Sequence, residues 1–237
     1  MAVYVYSIVG KKHPLRLDGV TGIGEPPSEL RTVTEASLCA VVSDAPDDLR
    51  PKRRDLTAHQ EVQNRLMADG AVLPLRFGLT AEDDEAVRAA LEASATEYAD
   101  KLQALDSCTE YHLKVSQDED ALLRQILADS SEARDLNDEI RSGAAGPDTS
   151  LALGELVAKE VQARQDALAT GVVEALRPFA RDQEISQPTG GDFLSVSFLV
   201  SEDQDELFLT TELSLANQMG DEFQFRLHGP LPPYSFV

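Results

Sequence analysis

EYHLKVS, residues Glu110 to Ser116, is the stretch on which the fold turns. Tyr111, Leu113 and Val115 fall on one side of it, and Glu110, His112 and Lys114 on the other. That two-residue period is the mark of a half-buried strand. Just upstream, at residues 106–109, a helical pattern stops, so a second domain is expected to begin near here.

Reading downstream, a helix is expected over about Asp118 to Arg141, with a break at Ser130-Ser131. A flexible stretch, SGAAGPDTS (Ser142 to Ser150), leads into a long helix striped by Leu153, Val157, Val161, Arg164, Leu168, Val172 and Leu176. The short connection makes these two helices an antiparallel hairpin. Gln183 to Gln187 and Phe193 to Val200 read as strands around a turn at Pro188–Gly191. Asp203 and Glu206 are expected to cap a helix running to Met219, and Phe223, Phe225 and Leu227 alternate in a last strand. With one helix of the hairpin set aside, the order is βαββαβ, a modified ferredoxin-like plan.

Reading upstream, Val3 to Val9 is a strand, followed by a glycine- and proline-rich segment from Gly10 to Pro27. Leu38 to Ser43 is a second strong strand, with a weaker one at Leu30 to Val33. Thr57 and Gln60 have capping-box spacing, so a helix is expected to start near Thr57, with Leu56, His59, Gln63 and Leu66 on one side. Ala71 to Leu79 is extended, with Pro74 marking an edge or bulge. Thr80 and Asp83 open one further helix, striped by Val87, Leu91, Ala95, Tyr98, Leu102 and Leu105. The fold class is therefore α+β. We expect an N-terminal domain over 1–108, a ferredoxin-like domain with a helical insertion over 109–228, and a tail over 229–237 that packs on the N-terminal domain.

Charge narrows the function. With 42 acidic residues against 21 lysines and arginines, the formal net charge is −21. Nucleic acid and anionic lipid membrane are poor partners for such a surface. The basic cluster Arg50, Lys52, Arg53 and Arg54 reads as a solvated turn before a helix. Cys39 and Cys108 lie beside apolar residues and read as small buried hydrophobes in a reducing compartment. The start MAVYVYSIVG lacks the pattern of a signal peptide, which makes the cytoplasm the expected location.

Catalytic, cofactor and metal signals are not found. His59 has Asp55 and Glu61 nearby as a general base would want, but its register beside Leu56 and Leu66 makes a satisfied, partly buried histidine the better reading. Gly19–Gly24 (GVTGIG) matches neither glycine-rich phosphate loop, no serine sits in a GxSxG elbow, and no histidine or cysteine pair has ligand spacing. We assign no catalytic residue, no cofactor-binding residue and no metal ligand.

Two segments stand out instead. Val72 to Thr80 carries Arg76 and Phe77 in an apolar run, where Arg76 is expected to pair with one of the many acids. The tail His228–Val237 holds Pro230, Pro232 and Pro233, then Tyr234, Phe236 and Val237. Prolines fix an extended chain and lower the entropy cost of docking, and the aromatic residues supply area to bury. These eight residues are the candidate protein-binding or interdomain positions, and the N-terminal domain of the same chain is the favoured dock.

VYVYSIVG (3–10), HQEVQNRL (59–66) with VLPLRFGLT (72–80), EYHLKV (110–115) and GPLPPYSFV (229–237) together resemble the gas vesicle protein F/L family. The resemblance implies a two-domain α+β fold with a ferredoxin-like C-terminal domain. It implies an accessory, chaperone-like assembly factor that binds the small hydrophobic shell protein and works with other gas vesicle accessory proteins. Such a protein would support vesicle nucleation or growth, cytoplasmic before assembly and on the gas vesicle after it. The family has no assigned catalytic residues. The alternatives are a minor structural component retained in the shell and, more distantly, a small-ligand enzyme without a recognisable motif.

Overall fold

β-branched and aromatic residues crowd the first ten positions, and this segment becomes the centre of a sheet. In the computed structural model, which describes residues 2–143 and 146–237, β1 (Val3–Gly10) pairs antiparallel with β3 (Leu38–Asp44). β2 (Arg31–Glu35) lies outside β3, and β4 (Val72–Pro74) and the short β5 (Thr80–Ala81) pair with β1 on its other side. Pro74 thus sits on an edge strand, where its missing amide costs no ladder bond.

A register irregularity between Val5 and Ser7 controls which side chains face which way. An extra residue in a strand shifts the alternation by one. Val3, Val5 and Ile8 therefore enter one core, with Val33, Leu38, Ala40, Val42 and Leu73. Tyr4, Tyr6 and Val9 enter the other, with Ile23, Cys39, Val41 and Val72. The first core is covered by α2 (Asp84–Ala93) and α3 (Ala95–Ala104), through Val87, Leu91 and Leu102. The second is covered by α1 (Arg53–Met67), through Val62 and Leu66. Each such side chain contributes roughly 1.5–3 kcal/mol when fully buried.

Several expected boundaries are corrected. α1 begins at Arg53, not Thr57, and the Thr57 hydroxyl donates to the Arg53 carbonyl one turn back (2.9 Å) instead of capping. The helix expected from Thr80 is two, broken at Ser94; Asp83 does cap the first, accepting from the Ala86 amide at 2.8 Å. Both halves keep the apolar stripe on one core, which explains why periodicity alone did not reveal the break.

The remaining elements are β6 (Cys108–Gln117), α4 (Glu119–Asp129), α5 (Ser131–Arg141), α6 (Pro147–Leu176), β7 (Asp182–Ile185), β8 (Asp192–Ser201), α7 (Asp205–Met219) and β9 (Phe223–Leu231). The strands form a second sheet in the order β7-β8-β6-β9. Ser130 breaks the expected helix and caps α5. Of the expected flexible stretch, residues 144 and 145 lie outside the described residues, and from Pro147 the chain is already helical, with proline in the first turn where it lacks no bond. α6 is 30 residues, about 45 Å long. Its first half packs Leu153, Leu156, Val157 and Val161 on Leu122, Ile126 and Ala133 of α4 and α5, as the hairpin reading requires. α7 starts at Asp205, so Gln204, not Asp203, occupies the N-cap position, and its side chain makes no capping bond. No described helix is long and apolar enough to cross a membrane.

The chain divides into two compact units. One comprises Met1–Tyr111, Leu199–Glu202 and Gly229–Val237; the other comprises His112–Phe198 and Asp203–His228. The mixed α/β architecture is thus two sheets with their helices.

Candidate functional site

The shift in β1 aims Tyr4, Tyr6 and Ser7 at α1, which answers with His59 and Gln63, one turn apart and both buried. The Ser7 hydroxyl donates to Gln63 Oε1, and Gln63 Nε2 donates to the Tyr6 carbonyl at 2.5 Å. Tyr6 Oη accepts from the Ile23 amide (2.8 Å) and shares a hydrogen bond with Ser43 Oγ (2.9 Å). A Cβ at position 22 would come within 2.6 Å of that hydroxyl, so Gly22 is required there. Asp55, also buried on α1, accepts from the Gly24 amide at 3.0 Å.

His59 is the hub. Its Nδ1 lies 2.9 Å from the Tyr4 hydroxyl and its Nε2 lies 3.2 Å from the Tyr234 hydroxyl. A neutral imidazole donates from one nitrogen and accepts at the other, which suits two hydroxyls. The ring is 3% exposed, and burial pushes its pKa down to about 4, against a backbone hydrogen bond to Leu75 that pulls it up. Burial also raises Tyr4 and Tyr6, and pushes Tyr234 up to about 12. The imidazole and the three phenols are therefore neutral across ordinary pH. Sealed from solvent, the imidazole cannot reach a substrate; it holds its neighbours in place.

Both segments singled out from the sequence converge on this ring. Phe77 lies edge-on to His59, with centroids 5.8 Å apart, and tilted to Tyr4 at 5.7 Å. Its turn is tied to β1 by the Leu75 amide on the Tyr6 carbonyl (3.0 Å) and the Gly78 amide on Tyr4 Oη (3.3 Å). In the tail, Pro232 and Pro233 are buried and Tyr234 reaches His59. Ser235 donates its amide (2.9 Å) and hydroxyl (2.7 Å) to the two oxygens of Glu110. Phe236 packs against the aliphatic core of the first sheet. Thr109 Oγ1 donates to the Leu231 carbonyl at 3.2 Å, and Gly229 lies so close to the Tyr111 ring that a Cβ would come within 2.3 Å of it. Arg76 and Pro230 are exposed, as is Val237 at 39%. Arg76 joins no ion pair among the described residues, which corrects the expectation that an acid would take it.

Two participants were missed from the sequence. Glu110 stands on the polar side of an alternating strand and reads as solvent-facing, yet it is 4% exposed beneath Ser235. His59 was read as a satisfied core residue; what escaped notice is that its partners are Tyr4 and Tyr234, 55 and 175 residues away. Nothing local announces either. Cys39 and Cys108 are both free thiols, and no group of three His, Cys, Asp or Glu among the described residues could hold a metal.

Comparison with known proteins agrees over the full length. The family described as gas vesicle synthesis protein GvpL/GvpF matches residues 2–237. Gas vesicle protein F of Streptomyces sp. (strain CB03234) is 43% identical over 238 residues, covering 100% of both chains. The crystal structure of the gas vesicle protein GvpF from Anabaena sp. PCC7120 superposes with a TM-score of 0.86 at 21% identity, over 99% of this chain and 97% of that one. The crystal structure of GvpF from Microcystis aeruginosa does so at 0.80 and 22%, over 99% and 98%.

Proposed function

The chain belongs to the gas vesicle synthesis protein GvpL/GvpF family, and from that premise we propose that it is an assembly accessory protein that binds the hydrophobic shell subunit and supports nucleation or growth of the vesicle. Its family is one of gas vesicle formation rather than of enzymes. The observation that carries the reading is the family match from residue 2 to residue 237. The physics supports it in two ways. A net charge of −21 keeps a carrier in solution while it holds an apolar client. β2 and β7 end their sheets, and such edges offer unpaired backbone groups to an extended segment.

Two finer readings accompany it. The second sheet and its helices form a ferredoxin-like domain with an added hairpin, supported by the element order and by the strand order β7-β8-β6-β9. The tail is an internal clasp in which Pro232, Pro233, Tyr234 and Phe236 act with Phe77, supported by the contacts at His59 and Glu110. Arg76, Pro230 and Val237 stay on the outside of it, open to other gas vesicle proteins. The protein is cytoplasmic before assembly and associates with the gas vesicle as it forms.

Mixing the purified chain with purified shell subunit tests the reading. The chain should keep the subunit soluble and co-elute with it; a subunit that precipitates equally with and without the chain rejects the role. Probing vesicles floated on a density step then separates a transient carrier, absent from them, from a retained minor shell component.

A further inference from the structure

β7, DQEI, ends the second sheet, and its outer edge is open. The Ser186 amide donates to the Ser195 carbonyl of β8 at 2.9 Å, so Ser186 and, two residues back, Glu184 turn their backbone groups toward β8. Gln183 and Ile185 therefore turn theirs outward. Asp182 accepts from the Gln183 amide at 2.8 Å, but the Gln183 carbonyl and both backbone groups of Ile185 have no protein partner among the described residues. Groups set out in this way match another extended chain.

The side chains beside this edge say what kind of chain. Ile185 is 58% exposed, and with Gln183 it lines a groove of about 530 Å³ that Ala169 and Val173 of α6 also line. Gln183 Oε1 is buried with no hydrogen-bond partner among the described residues, an acceptor lacking a donor. The charged residues of the groove are Asp166, Glu174 and Arg177, while Asp182 and Glu184 stand exposed on the strand itself. None of these four acids forms an ion pair among the described residues. Edge and groove thus offer backbone pairing, an apolar lining and a surplus of negative charge. β2, by contrast, exposes Thr32 and Thr34, and its one base, Arg31, is already held by Asp44 (2.8 Å) and Asp84 (2.9 Å).

We propose that β7 and its groove bind an extended segment of the shell subunit as a further strand, with an apolar residue of that segment against Ile185 and a lysine or arginine opposite Glu184. This rests on the binding role proposed above. The backbone bonds hold any extended chain. Because side chains alternate along β7, the apolar contact and the charge match select a segment that is apolar on one side and basic on the other. A second copy of this chain is a poor occupant, since its own β7 would bring Asp182 and Glu184 against the same acids.

The test measures thermal midpoint and shell-subunit affinity for wild type, Ile185→Pro, Glu184→Lys and Thr34→Pro. Ile185→Pro deletes the outward amide and spares the β8 ladder, so it should keep its midpoint within a few degrees and bind roughly tenfold more weakly. Glu184→Lys, on an exposed side chain, should leave the midpoint alone and weaken binding about fivefold. Changing the subunit's lysines and arginines to glutamate one at a time should then find one that restores binding to Glu184→Lys. Thr34→Pro makes the same edge deletion at β2, where the two-residue turn before Leu38 sends the Thr34 amide outward, and should bind as wild type does. If the Ile185 variant unfolds, Glu184→Lys and its rescue decide. Wild-type affinity in Ile185→Pro and Glu184→Lys, or a loss confined to Thr34→Pro, overturns this inference alone. No binding by the wild type overturns it together with the functional reading.

Discussion

The aromatic nest around His59 and the inward side of α7 each bury a titratable side chain, and they treat it in opposite ways. His59 has hydroxyls on both nitrogens, Gln63 beside it and three aromatic rings around it. Glu212, one turn on from buried Phe208, has no hydrogen-bond or ion-pair partner among the described residues. A satisfied buried polar group rigidifies structure; one without protein partners adds no such tie. The contrast is one of cohesion: the first region is tied to its own chain on every side, and the second is not.

Five measurements can break that contrast or sharpen it. Deleting Gly229–Val237 should cost the most, about 4 kcal/mol for the lost burial of Tyr234 and Phe236, a fall in thermal midpoint of about 10 °C. If the truncated chain melts like the parent, the tail is no clasp. Next, His59→Ala strands the Tyr4 and Tyr234 hydroxyls and opens a cavity, for about 3 kcal/mol in urea unfolding.

Third is pH. His59 is held at about 4 when folded, against an ordinary 6.5. Between those values the unfolded chain binds a proton that the folded chain refuses. The stability is therefore complete above about 6.5 and falls as pH drops toward 4, by at most about 3 kcal/mol from this group. Urea midpoints across that range should show the slope in the parent and lose it in His59→Gln.

Fourth, Tyr234→Phe should cost about 1 kcal/mol at neutral pH. Because folding lifts Tyr234 to about 12, its contribution is present below pH 10 and lost as pH rises toward 12. The phenylalanine variant should shrink that alkaline loss. The smallest effects belong to α7: Glu212→Gln should gain about 1 kcal/mol or less, and Leu213→Ser should stay within about 0.5 kcal/mol of the parent. A large loss in either would show that α7 contributes as much cohesion as the nest does.

The elements of regular structure were mostly legible in the sequence, because period two and period 3.6 survive wherever one side of a segment is buried. EYHLKVS lies in β6, the stripe from Val87 to Leu105 covers one core, and the two serines mark a helix break. Element ends were less legible, since capping depends on backbone angles that Thr57 or Asp203 does not advertise. The irregularity in β1 was hidden because every residue from Val3 to Val9 is buried, and a uniformly buried strand has no polar side to reveal a slip. Of the candidate site, its two ends were found through apolar and proline composition. Its centre was not, because His59 and Glu110 are set by residues distant in the chain, and distance in sequence leaves no trace in local spacing.

That distance has a consequence for how the protein is made. Ser235 lies 125 residues beyond Glu110, and Tyr234 lies 175 beyond His59. On the ribosome the first sheet and its three helices emerge long before the segment that seals them. Glu110 and the His59 ring must wait, wet and uncovered, until Tyr234 and Ser235 have been synthesised. A chain cut short before Tyr234 can never make these bonds, so the first sheet would be left with its aromatic nest open.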